Sequence, residues 1–392
     1  MNDGTARRQA RHYGLDWLRV GAFLLVVVHH VGMYFTPEPW MVKSAQPVDW
    51  LIWPMLALQP WRMALLFAVS GYASRILLLS SGSVGAFSAT RSFRLLLPLL
   101  FGMLVLIPPQ TWVWLSAHHL YGEGLLHFWT HDWIAGAGPN GLLETGHLWF
   151  LAYLWTYTIL LAAALWAAPS AVRDRVAALA PWLCTGTRLL WAPLLPLLAA
   201  RLLLLFTIPE AHGLLHDWVS DLTYLPAFLF GFALAALPGA WKAVLRTRGP
   251  ALAAAGGSLL LLILLQYLYP GDRGHIAQAL DREASLVMAW SMILLLFASA
   301  HRWLNRDHRW RRPLCEAIFP CFLIHHPLII LVGWQLAGAG LSNLQMFAVL
   351  LSSALGGSFL FYRIGRELGM LRPLFGLAPR LARRAAARTA FA

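Results

Sequence analysis

Apolar runs of about 20 residues recur along the whole chain, and nothing constrains a fold more tightly than that. They centre near Val26, Val69, Met103, Tyr157, Leu198, Phe230, Leu261, Ile293, Leu328 and Leu355. Lipid offers no partner for a backbone N–H or C=O, so each run must close its hydrogen bonds within itself as a helix. The chain has 392 residues, of which only 12% are charged, against about 25% in an ordinary soluble domain. This predicts an all-α, polytopic membrane bundle of about ten transmembrane helices. One transmembrane domain is expected over 16–365, between a short segment at 1–15 and a basic tail at 366–392. The stretch before Arg11 is polar and basic, and the apolar run after it is too long for a leader, so the first helix is expected to be an uncleaved anchor.

The net charge of +13 is not a nucleic-acid signal, because the basic residues alternate loop by loop. Arg7, Arg8 and Arg11 precede the first run; Arg173, Arg175 and Arg188 separate the fourth and fifth; Arg302, Arg306, Arg309, Arg311 and Arg312 follow the eighth. Ser116 to Gly146 has no Lys or Arg. By the positive-inside rule both termini are cytoplasmic, and an even number of crossings agrees. The outer loops hold Trp40, Trp50, Trp53, Trp112, Trp114, Trp129 and Trp133, which read as an interfacial aromatic belt or, in part, as a platform for sugar rings. Three cysteines give neither a disulfide framework nor a zinc spacing, and no metal is expected.

Ionisable residues inside spans are the candidates for chemistry. The first run reads Leu15-Asp16-Trp17-Leu18-Arg19 and ends at Val28-His29-His30. At about 100° per residue, Arg19, Phe23, Val26 and His30 share a stripe, and His30 lies roughly 21 Å beyond Asp16. Arg91 and Arg94 share a helix face at the inner end of the third run, as a fork for phosphate oxygens or as lipid-headgroup anchors. Glu144 and His147, entering the fourth run from outside, are placed at about the depth of His30. There a carboxylate would fix a histidine's tautomer and free the other ring nitrogen as base. Arg201 lies close to mid-bilayer in the fifth run and needs a partner, either a substrate carboxylate or an internal acid. His325 and His326 sit within the ninth, and Ser70-Gly71 in the second offers a close helix approach. Two HX4D matches, His127/Asp132 and His212/Asp217, lie in outer loops and are discounted as chance.

Taken together, Leu15-Asp16-x-x-Arg19 with His30, Val69-Ser70-Gly71-Tyr72, Arg91-x-x-Arg94, His147-Leu148-Trp149-Phe150-Leu151 and Phe322-x-x-His325-x-Pro327 resemble the acyltransferase 3 family of multi-pass membrane acyltransferases, and within it the glucan-modifying branch. The resemblance covers nearly the whole chain. It implies a ten-helix bundle in the inner membrane that passes an acyl group, succinyl or acetyl, from cytoplasmic acyl-CoA to a hydroxyl of an extracytoplasmic carbohydrate. It implies His30 as the catalytic histidine and the Arg91/Arg94 pair as the contact for CoA phosphate. The residues themselves extend this: Glu144 and His147 would assist His30 as base, Asp16 and Arg19 would join the CoA site, and Arg201, His325 and Ser70 would face the substrate, with Ser70 or His147 stabilising the oxyanion. The competing expectation is a transporter or flippase for a glycan or lipid-linked sugar, with His30 and Arg201 in an ion pathway.

Overall fold

The computed structural model describes residues 12–136, 144–205, 208, 217–237, 239–271 and 274–379. Arg7, Arg8, Arg11, His212 and the tail arginines from 380 onward lie outside them. Among the described residues there is no strand. Nine helical stretches are long and apolar enough to cross a membrane, and a tenth, Trp218–Leu234, is apolar but 17 residues long. The ten apolar runs of the sequence are these ten stretches.

In chain order the helices are α1 (Tyr13–Met33), α2 (Ile52–Ser81), α3 (Val84–Phe101), α4 (Pro108–Ala117), α5 (Trp149–Ala167), α6 (Ser170–Leu183), α7 (Arg188–Leu205), α8 (Trp218–Leu234), α9 (Ala240–Leu268), α10 (His275–Ser299), α11 (Arg311–Gln335) and α12 (Asn343–Glu367). Several helix ends are set by caps and glycine. Gly82, at φ 73°, ends α2, and the Ser83 hydroxyl accepts the Ala86 N–H to start α3 at 3.1 Å. Ser342 and Gln345 form a reciprocal capping box on α12.

Without a hydrophobic drive between helices in lipid, packing depends on close backbone approach. The α2–α8 contact shows why Gly71 is glycine. A Cβ there would lie 1.9 Å from the Phe228 carbonyl oxygen, and one at Gly231 would lie 1.8 Å from that of Ala68. The two glycines clasp reciprocally, and Phe67 stacks on Tyr224 beside them at 4.9 Å between ring centroids.

The third span is built from α3 and α4 joined by a π-helical turn over Gly102–Leu106. Pro108 has no N–H to give the Leu104 carbonyl four residues earlier, and the wide turn loosens Met103 as well. Two outer-loop tryptophans repair this: Trp129 Nε1–H donates to Leu104 O at 2.7 Å and Trp133 Nε1–H to Met103 O at 3.1 Å. Trp133 is therefore core, 1% exposed, while Trp50 is 65% exposed and suits an interface. The aromatic-rich loops thus divide between belt and core.

At the arginine-rich end, α1 is clamped to α11. Arg311, buried, holds the Asp16 carboxylate at 2.6 Å and Asp307 at 2.7 Å, with its guanidinium over the Tyr13 ring. The clamp fixes the start of α1, which carries the residues described next.

Candidate active site

Along α1 the side chains meet three different environments in order. Arg19 and Phe23 line an inner cavity of about 140 Å³. His30 enters a cluster of imidazoles. Met33, with Thr36 just past the helix, lines an outer cavity of about 480 Å³. The inner cavity also meets Ser70, Arg91, Phe150 and Phe322. Arg91 donates to the Ser74 hydroxyl at 2.9 Å and Arg19 to the Cys315 carbonyl at 3.4 Å. Arg94 is exposed on the surface nearby, so the two guanidinium groups of the Arg91-x-x-Arg94 pattern are not equivalent. Asp16 is taken up by the Arg311 clamp.

Four histidines from three elements converge: His30 on α1, His325 and His326 on α11, and His147 just before α5. The His30 and His325 rings stack at 5.2 Å, His326 meets His30 edge-on at 5.0 Å, and His147 stacks on His326 at 4.8 Å. His29 is buried but lies outside the stack, against α2. The helical stripe distinguishes the two neighbours as the sequence suggested.

The hydrogen-bond chain assigns each ring's proton. A nitrogen facing a carbonyl oxygen must carry the hydrogen. His325 Nδ1 lies 2.8 Å from Phe322 O and 3.3 Å from Cys321 O, so it is the N–H and its Nε2 is the acceptor. That Nε2 is 3.0 Å from His30 Nδ1, which therefore donates. His30 Nε2 is left as a lone pair with no hydrogen-bond partner among the described residues: a neutral imidazole oriented to take a proton. The His325 contact thus fixes the tautomer and angle of the His30 ring, with no negative charge involved.

The same logic fixes the others. Pro327 has no N–H, which frees the Leu323 carbonyl one turn back. His147 Nε2–H donates to that oxygen at 2.9 Å, and His147 Nδ1 is buried without a partner. Gln110 donates to Leu106 O at 2.6 Å, which turns its Oε1 toward His326 Nδ1 at 2.5 Å, so His326 is the donor there. Trp40 closes the cluster from the outer side, edge-on to His326 at 5.4 Å.

Glu144 does not perform the orienting role expected of it. It lines a separate cavity of about 180 Å³ with Met41, Thr111 and Trp114. Burial raises its carboxyl above the ordinary range, partly offset by the Thr111 hydroxyl. Nor is His147 an N–H donor for an oxyanion, since its only N–H is spent on Leu323. Ser70 lies in the inner cavity beside Arg91 rather than in the imidazole cluster. Arg201, 3% exposed, lines the outer cavity, donates to Thr223 at 3.5 Å and lies within electrostatic reach of Glu283. Of the two partners considered for it, the internal acid is present.

Gln110 and Arg62 belong to this region although no motif marks either in the sequence. Arg62 directly precedes the apolar stretch Met63 to Val69 and is 7% exposed, and the rule that an ionisable residue inside a span is a functional candidate applies to it as to Arg201. Among the described residues there is no group of three or more His, Cys, Asp or Glu side chains arranged to hold a metal ion.

Comparison with known proteins agrees with this architecture. The family described as an acyltransferase domain (Acyl_transf_3) matches residues 12–363. Curated relatives called glucans biosynthesis protein C, from Salmonella schwarzengrund (strain CVM19633), Salmonella agona (strain SL483) and Salmonella enteritidis PT4 (strain P125109), are 26% identical over 387 residues, covering 94% of this chain and 95% of theirs. No solved structure matches the chain. A profile match over nearly the whole bundle, with His30, Arg91, His147 and His325 all inside it, settles the kinship: the chain belongs to the acyltransferase 3 family of membrane acyltransferases.

Proposed function

We propose that the protein transfers a succinyl or acetyl group from cytoplasmic acyl-CoA to a hydroxyl of an extracytoplasmic glycan, across the inner membrane. The observation that carries this reading is the order of environments along α1. Arg19 and Phe23 line an arginine-flanked cavity, Met33 lines a polar one, and His30 stands between these residues along the helix with its Nε2 as a lone pair. The charged CoA head stays at the basic face near Arg19 and Arg91, whose fixed positive charge suits phosphate. The thin pantetheine arm enters the apolar cavity past Phe23 and Phe322, which border His325 at 5.7 Å each. The sugar hydroxyl arrives through the outer cavity, where Arg201, Thr223 and Ser220 supply polar contacts.

His30 takes the hydroxyl proton as the sugar oxygen forms its bond to the thioester carbon. The carbonyl electrons move to oxygen, then return as the C–S bond breaks. The departing thiolate collects the proton from His30, which needs little driving force because a thiol's pKa is about 8.5. His325 holds the ring in register through its bond to Nδ1.

The test is mass spectrometry of extracytoplasmic glucans from cells with the chain, without it, and with His30→Ala. Ester-modified glucan is expected only with the intact chain. Unmodified glucan that merely changes compartment when the chain is present would instead indicate a transporter.

A further inference from the structure

The reaction makes an oxyanion beside His30, and the imidazole cluster has no N–H left to receive it. His325 Nδ1–H is spent on Phe322 O, His326 Nδ1–H on Gln110, His147 Nε2–H on Leu323 O, and His30 Nδ1–H on His325. Backbone N–H groups here belong to helices. A preorganised donor must therefore come from outside the cluster.

Arg62 meets that description. It is 7% exposed, and its Nε and Nη1 are buried with no hydrogen-bond partner. No ion-pair partner occurs among the described residues either. A buried guanidinium without an anion is one of the most costly groups a membrane protein can carry, so an anion of some kind is expected to meet it. Its position follows from helix geometry. Gly32 of α1 packs on Met55 of α2, and the two helices run antiparallel, so the Cα of Arg62 lies about a turn and a half deeper than His30. Side chains on a helix lean toward its N-terminus, which for α2 brings the guanidinium back toward the level of His30. Arg62 is accordingly within electrostatic reach of His29, His30 and Tyr224.

We propose that Arg62 is a catalytic residue whose unpartnered N–H groups receive the thioester oxygen as it becomes an oxyanion. This rests on the acyl-transfer reading above. It deepens that reading by giving negative charge a place to develop: as the sugar oxygen bonds to carbon, the carbonyl π pair moves onto an oxygen held by the Arg62 fork, and the pair returns when carbon–sulfur cleavage releases thiolate.

The test uses the full-length purified protein in liposomes, with acetyl-CoA and succinyl-CoA as donors and a glucan acceptor. Arg62→Met is expected to lower kcat by about 10²- to 10³-fold with both donors, the usual cost of removing an oxyanion donor. KM for each donor, and binding of a non-transferable thioether analogue, are expected to stay within threefold. Added guanidinium is expected to restore part of the rate. Thermal stability of Arg62→Met is expected to equal or exceed the parent's, since an unpaired buried charge is gone; Arg62→Lys, which keeps the charge, controls for folding. Full kcat in Arg62→Met would overturn the assignment, as would a loss confined to succinyl-CoA, which would make Arg62 a receptor for the acyl carboxylate. Failure of the intact protein to transfer from any acyl-CoA would instead sink the acyl-transfer reading itself.

Discussion

Replacing His325 by Ala isolates the orienting interaction from the base. The 3.0 Å contact from His30 Nδ1 to His325 Nε2 is what keeps the proton off Nε2. His325 is fully buried, so its removal leaves the His30 N–H facing an apolar gap. An unsatisfied buried donor costs about 1–3 kcal/mol. If that free energy is what selects the productive tautomer and ring angle, kcat falls about 5- to 150-fold at 1.36 kcal/mol per factor of ten. The assay is initial-rate acyl transfer in liposomes, followed by mass of the acceptor ester. His30→Ala is expected to lose more, about 10²- to 10⁴-fold, because the base itself is gone. The decisive comparison is the double variant. Residues that act as a unit are not additive, so His30→Ala/His325→Ala should be no slower than His30→Ala alone. A His325→Ala rate within threefold of the parent, or losses that multiply in the double variant, would refute the orienting role.

Three further outcomes follow from particular contacts. Arg91→Ala is expected to raise KM for acyl-CoA by about 10- to 150-fold, since a hydrogen bond to a charged group is worth about 1.5–3 kcal/mol. Arg94→Ala is expected to change it less than threefold, because the exposed side chain lies outside the cavity; equal effects would refute the distinction. Gly71→Ala forces a Cβ against the Phe228 carbonyl, and the overpacking is expected to cost about 1–3 kcal/mol, read as a lower unfolding temperature in detergent, whereas Gly256→Ala on α9, where nothing lies within 4 Å of the added Cβ, is expected to be neutral. Burial, with the neighbouring His301, lowers His12 from 6.5 to about 4. The folded state then resists protonation that the unfolded chain accepts, so stability is full above pH 6.5 and declines as pH falls toward 4; His12→Gln is expected to flatten that decline, and an unchanged pH profile would refute it.

Much of this was legible in the chain. Hydropathy and loop charge located all ten apolar runs, because lipid leaves a helix no other way to satisfy its backbone. The 3.6-residue period picked His30 over His29. It also put Arg19 and Phe23 on the face that lines the inner cavity. What periodicity cannot supply is contact between elements far apart in sequence. His30 and His325 are 295 residues apart, and nothing local to either marks the other as its partner, so Glu144, nearer in the chain and charged, attracted the orienting role. The Phe322-x-x-His325-x-Pro327 pattern acquires its physical sense only from the fold: Phe322 supplies the carbonyl that fixes the His325 tautomer, and Pro327 frees the Leu323 carbonyl that fixes His147. Asp16 read as a ligand for CoA because its buried partner, Arg311, belongs to a loop-proximal cluster that looked purely topological.

The account stands on His30 being reached from opposite faces of the membrane. Liposomes holding the protein in a single orientation, with labelled acyl-CoA only on the arginine-rich side and glucan only on the other, test this directly. Label is expected in glucan ester on the far side, and none with His30→Ala. Transfer only when both reactants share one side, or undiminished transfer by His30→Ala, would contradict it.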